Sequence, residues 1–142
     1  MNALQDLWAM LNTPSKFDGD PYGGLINQWG HYAIGVALFC LACAAHFAVF
    51  GEMPRRFWAA GLLVAAYFLV IECWVQGWQG KDSLEDAGYF GFGAFTPAAS
   101  IKEIGFSGDV STLSLNVGVM AAWITCAILA CLYYGIKRIP PK

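Results

Sequence analysis

The stretch Phe57-Trp58-Ala59-Ala60-Gly61-Leu62-Leu63-Val64-Ala65-Ala66-Tyr67-Phe68-Leu69-Val70-Ile71-Glu72-Cys73-Trp74-Val75-Gln76-Gly77-Trp78 is a long apolar run with one carboxylate, Glu72, near its end. At ~1.5 Å rise per residue it is long enough to cross a hydrocarbon core of ~30 Å as a helix. An ionisable group inside such a run costs ~2.5–3.5 kcal/mol near the bilayer centre and less toward an interface, so it is expected to face a partner. Nearby polar residues that could serve are His31, Gln76, Asp82, Glu85 and Asp86.

Two further runs have the same length and character. One is about Gly30 to Phe50, the other about Leu113 to Ile136. Between the first two runs, Gly51-Glu52-Met53-Pro54-Arg55-Arg56 reads as a tight polar turn, which makes them an antiparallel hairpin. Trp29, Trp58, Trp74 and Trp78 fall near run ends, as an aromatic belt places them. Of the 142 residues, 58% are apolar and only 13% charged, about half the charged share of a soluble domain. The fold expected is all-α, a polytopic helix bundle of the membrane, with the bilayer as its first partner.

Residues 1–29 are expected to stand apart from the transmembrane domain, residues 30–142. Leu4, Leu7, Trp8 and Leu11 form an apolar stripe at helical spacing, too short to span and suited to lying in the interface. Thr13–Gly24, with two prolines and three glycines, reads as a loop. No basic start followed by an apolar core precedes the first run, so the spans themselves are expected to direct the chain to the membrane.

Ala87–Ile101 is ambiguous. It is apolar but short, with three glycines and a proline, and fits a short fourth span, a re-entrant element or an interfacial helix. The charge rule favours three spans, with Arg55, Arg56, Lys137, Arg138 and Lys142 inside and Lys16, Lys81 and Lys102 outside. This puts the N-terminus outside and the C-terminus in the cytoplasm of a bacterial inner membrane. His31 and Glu72 then differ in depth by only ~5 Å, and Asp82–Asp86 follow on the same outer side.

Glu72 and Gln76 share a helix face at i, i+4, as do Asp82 and Asp86. His31, Glu72, Gln76, Asp82 and Asp86 form the expected ligand-binding cluster. Within it His31, Glu72, Asp82 and Asp86 are an oxygen-rich set with one nitrogen, suited to a divalent cation. The same groups suit an amine or hydroxyl headgroup through charge-assisted hydrogen bonds, or proton transfer. The structural alternative is that Glu72 pairs with His31 or Gln76 while the aspartates cap a helix. His46, fifteen residues after His31, reads as a polar contact at the other interface. Cys40, Cys43, Cys73, Cys126 and Cys131 all lie in apolar runs and read as small buried hydrophobes.

No Gly-x-Ser-x-Gly, His-Glu-x-x-His or phosphate-binding glycine loop occurs, and the reading leans away from an enzyme. Net charge is −2 with no basic tract, which argues against nucleic-acid binding. A structural or accessory subunit of a larger membrane complex, or a homo-oligomer, is the competing reading. Its small residues Gly35, Ala42, Ala45, Gly118, Ala121, Ala122 and Ala130 could meet a partner helix or pack the chain's own helices.

From His31 to Ala94 the residues resemble VanZ-like membrane proteins. That family tends to show a histidine at the outer start of one span and Glu-x-x-x-Gln at the outer end of the next. A basic residue follows, and then Asp-x-x-x-Asn-x-x-Gly-Ala. His31, Glu72 with Gln76, Lys81, and Asp86 with Gly93-Ala94 match in turn, and Phe90 stands where the family has its asparagine. The resemblance implies that Ala87–Ile101 is a real span. It also implies an inner-membrane protein that acts near envelope lipids or cell-wall precursors.

Overall fold

A computed structural model describes Gln5, residues 19–107 and residues 110–139. The stripe of residues 1–12 lies outside the described residues, Gln5 excepted. Between residues 19 and 139 the chain forms four helices and one hairpin: α1 (Pro21–Phe50), α2 (Arg56–Val75), α3 (Lys81–Ser100), β1 (Ile101–Ser107), β2 (Val110–Leu115) and α4 (Val117–Lys137). It is a helical bundle in which α1, α2 and α4 are long and apolar enough to span a membrane.

Helix α1 starts at Pro21, earlier than the hydropathy run implied. The Asp20 carboxylate accepts a hydrogen bond from the Gly23 N–H at 2.8 Å, and Pro21 occupies the first helical position, where its missing N–H costs nothing. Residues 21–24, expected in the loop, are therefore helix, and the helix continues unbroken through residues 25–29 into the first run. The helix stops at Gly51, whose φ of 70° supplies a left-handed cap. Helix α2 changes character along its length. Its last eight residues, Phe68–Val75, are π-helical, and the Gln76 N–H continues the pattern with an i→i+5 bond of 2.8 Å to the Ile71 carbonyl. A tight link follows in which Gly77, Trp78 and Gly80 all have positive φ.

Residues 87–101, left open by sequence, are resolved as the greater part of the twenty-residue helix α3 and the first residue of β1. Helix α3 runs parallel to α1 at backbone contact. A Cβ added to Gly35 would lie 2.1 Å from the Phe90 carbonyl oxygen, and one on Gly93 would lie 2.0 Å from that of Tyr32. Only glycine fits such a crossing. Gly35 thus packs the chain's own helices, whereas Gly118, Ala121 and Ala122 are exposed.

After Ser100 the antiparallel hairpin joins α3 to α4, with Ile101 opposite Leu115 and Ser107 opposite Val110. The Asn116 N–H closes it on the Ser100 carbonyl at 2.7 Å. The Asn116 side chain caps α4 by accepting from the Val119 N–H, so residues 113–115, expected in the last span, belong to β2. Helix α4 returns antiparallel to α3: Tyr89 donates to the Ala130 carbonyl at 2.8 Å, and Phe92 meets Trp123. Its end packs beside the start of α1, where Gly135 meets Pro21 and Leu25.

The apolar core lies in the half of the bundle toward the α1–α2 turn. Phe39, Cys43, Ala60, Ala94 and Ala98 are buried there, with Met53, Leu63, Val64 and Phe95 against them. Not all the cysteines join it: Cys40 and Cys126 are exposed and Cys73 is half-buried.

Candidate functional site

At the other end of the bundle, three helices each bring polar side chains to one line of hydrogen bonds. Gln28 and His31 sit one turn apart on α1, Tyr67 and Glu72 on α2, and Asp86 in the second turn of α3. The Gln28 amide nitrogen donates to Asp86 Oδ1 at 2.7 Å. The other Asp86 oxygen lies 3.4 Å from His31 Nε2. His31 Nδ1 is 2.9 Å from the Tyr67 hydroxyl, which is 2.7 Å from Glu72 Oε1. The path Gln28–Asp86–His31–Tyr67–Glu72 is continuous.

Local structure explains how the path closes. Residues five apart on an α-helix are about 140° apart around the axis, so Tyr67 and Glu72 would diverge. The π-helical stretch starting at Phe68 draws i and i+5 together, and such turns are rare and concentrate at functional sites. Phe90 holds the phenol in place, its ring stacked on Tyr67 at 4.0 Å and 9°. Burial is graded along the path. Glu72 and Gln28 have no exposed surface, while the side chains of His31 and Asp86 keep 15% and 16%.

Glu72 is satisfied on one side only. Its Oε1 takes the Tyr67 contact, but Oε2 is buried with no hydrogen-bond partner among the described residues. An unmet buried acceptor of this kind costs about 1–3 kcal/mol, so the site has capacity for one more donor.

Two ways of filling the donors and acceptors along the path are related by proton transfer. If Glu72 is a carboxylate, Tyr67 donates to it, and a cationic His31 donates from Nδ1 to Tyr67 and from Nε2 to Asp86. If Glu72 is protonated, it donates to the Tyr67 oxygen, Tyr67 donates to His31 Nδ1, and neutral His31 keeps its proton on Nε2 toward Asp86. The two fillings hold the same protons and the same net charge. Passing the Glu72 proton to Tyr67 and the Tyr67 proton to His31 converts one into the other.

Of the residues expected in the cluster, His31, Glu72 and Asp86 come together and Gln76 and Asp82 do not. Gln76 ends the helix, and its backbone carbonyl accepts from the Gln79 side chain at 2.8 Å. The Asp82 side chain, 65% exposed, lies 3.8 Å from Arg138 Nη2. It sits in the first turn of α3, where the helix dipole favours a carboxylate. Glu85 faces Lys81 at 3.6 Å. The expected cation set is therefore not assembled: Tyr67 stands between Glu72 and His31, and Asp82 is turned to Arg138. Among the described residues no group of three or more His, Cys, Asp or Glu is placed to hold a metal ion.

Two members of the path were not foreseen. Gln28, three residues before His31 and on the same helix face, would have been found had the helix start at Pro21 been read from its Asp-Pro cap. Tyr67 carried no such signal, because its place depends on the π-helical stretch. His46 makes the expected polar contact near the turn, its Nδ1 donating to the Glu52 carbonyl at 3.0 Å.

No protein-family model, curated protein or solved structure matches this chain.

Proposed function

We propose that this chain is a small VanZ-like membrane protein whose polar end binds the head of a lipid or a cell-wall-related ligand. The observation that carries the reading is the unmet Oε2 of the fully buried Glu72. It belongs to a carboxylate whose other oxygen is held by Tyr67, and it suits an amine or hydroxyl donor. The convergence of His31, Glu72 and Asp86, the residues that carry the resemblance, supports it further. A cation is not part of the proposal, because the donor set does not converge on a point.

The proposal includes four crossings in a bacterial inner membrane. Helix α3 runs the length of the bundle beside α1, and α4 ends where α1 begins. Both ends of the bundle segment then lie on one side, so an outer N-terminus and a cytoplasmic C-terminus do not go together. With four crossings the flanking basic residues among those described divide evenly: Arg55, Arg56 and Lys102 against Lys81, Lys137 and Arg138. The charge rule then no longer ranks the two orientations, and the outer placement of the polar end rests on the resemblance. Single cysteines at Lys81 and Lys102 in a cysteine-free background should label from opposite sides, Lys81 from outside. Labelling of both from one side would remove the fourth crossing.

The binding reading is tested by native mass spectrometry of the detergent-purified chain beside a Glu72→Gln/Asp86→Asn double variant. A lipid or small ligand retained by the natural sequence and lost from the variant is the expected result. An empty chain of unchanged stability in both would overturn it. The alternative, an accessory subunit, draws on the exposed apolar faces of α2 and α4, which include Leu62, Leu69, Leu129 and Tyr133. It predicts co-purifying subunits that the double variant still retains.

A further inference from the structure

Among the described residues, lateral grooves open on the bundle, and the linings of three of them differ in charge. One, of about 320 Å³, lies between α1 and α4 and is lined by Leu25, Ile26, Trp29, Ile128, Cys131 and Leu132, with no charged side chain. A second, of about 250 Å³, lies between α3 and α4 and includes the carboxylate of Glu85. The third, the largest of these three at about 460 Å³, lies between α1 and α2 at the turn end and includes His46 and Arg55. It is the one of the three with a guanidinium in its wall.

The third groove has a polar mouth and an apolar shaft. Ala42 on α1 and Ala59 on α2 are small enough to leave a furrow, and Leu62 and Leu63 continue it along the helices. Trp58, 71% exposed, stands at its side. Arg55 is exposed, directly after Pro54 and just ahead of α2. The His46 contact to the Glu52 carbonyl uses Nδ1 and leaves Nε2 uncommitted. Glu52 is the carboxylate of this turn, and its contact with His46 is through the backbone.

We infer that this groove is a site for an anionic phospholipid, with an acyl chain along Ala42, Ala59, Leu62 and Leu63 and the phosphate at Arg55. Charge complementarity selects the occupant. A guanidinium at the end of two membrane-length helices stands at headgroup depth, where a basic side chain is worth about 1 kcal/mol toward anionic lipid, and its planar fork suits a phosphate. A zwitterionic lipid of the same chains would fill the shaft equally but would bring its own cation to Arg55. The site is separate from the polar end and does not depend on the ligand proposed there.

The test is quenching of Trp58 by lipids brominated on the acyl chain, in bilayers containing either phosphatidylglycerol or phosphatidylcholine of identical chains. A Trp58→Phe variant gives the Trp58 share of the signal by difference. The expected result is about fivefold stronger apparent binding of phosphatidylglycerol, reduced to equality in Arg55→Gln. Ala42→Phe, which fills the furrow, should lower quenching by both lipids. Equal quenching by the two headgroups in the natural sequence means general boundary lipid only and overturns the proposal, as does a preference that survives Arg55→Gln.

Discussion

The two halves of the bundle hold the same helices together by different physics. Toward the α1–α2 turn, α1 and α3 meet backbone to backbone through Gly35 and Gly93, with alanines and Phe39 around them. At the other end the helices are tied by side-chain hydrogen bonds along Gln28, Asp86, His31, Tyr67 and Glu72. In lipid, apolar surface gains little by turning inward, so close packing and interhelical hydrogen bonds must supply the cohesion. The Gly35–Gly93 crossing of the first half tolerates no added atom. The second half tolerates changes that preserve its donors and acceptors, and among the described residues it keeps two acceptors unmet, Gln28 Oε1 and Glu72 Oε2.

Substitutions should separate the halves in order of effect. The largest loss is expected from Gly93→Ala or Gly35→Ala. A methyl group has nowhere to go at 2.0 or 2.1 Å from a carbonyl oxygen, and backbone displacement of this kind costs about 3 kcal/mol. Unfolding in a denaturing detergent series measures it. A variant as stable as the natural chain would show that α1 and α3 are not in contact.

Next comes Glu72→Ala, expected to cost about 2 kcal/mol through the cavity and the stranded Tyr67 hydroxyl. Glu72→Gln, which keeps shape and a carbonyl acceptor, should cost less than half of that. Equal losses in the two would mean that the carboxylate itself, rather than an acceptor at that position, holds the helices.

A smaller loss of about 1 kcal/mol is expected for Tyr67→Phe, which keeps the stack on Phe90 and removes the hydroxyl. Combined with Glu72→Ala it should add less than its single cost, because the hydrogen bond the two share is removed once and only the His31 contact is left to lose. Full additivity in the double variant would deny the 2.7 Å contact. The smallest effect belongs to Asp82→Asn. Its side chain is mostly exposed and 3.8 Å from Arg138, and such surface pairs contribute under about 1 kcal/mol.

The history of particular residues shows what a sequence can carry. Glu72 was legible as a residue in need of a partner because a carboxylate in a hydrophobic run is costly wherever it sits. His31 and Asp86 were legible because the hairpin and the following polar stretch bring them to the same depth. Asp82 was misplaced because i, i+4 spacing reports a shared helix face and not the distance to a neighbouring helix. Lipid-length runs also blur their own ends: α1 begins at a cap set by Asp20 and Pro21, and α4 begins after a hairpin that hydropathy does not register.

Hydropathy and length by themselves determined that this chain is a helical bundle with three membrane-length helices, because twenty apolar residues in lipid have no alternative to internal hydrogen bonding. The placing of α3 alongside α1, and the identity of Tyr67 as a neighbour of the sequence-legible cluster, were decided by tertiary structure. Both depend on which side chains face each other across helices and on a π-helical stretch, and neither hydrophobic period nor residue spacing encodes those contacts.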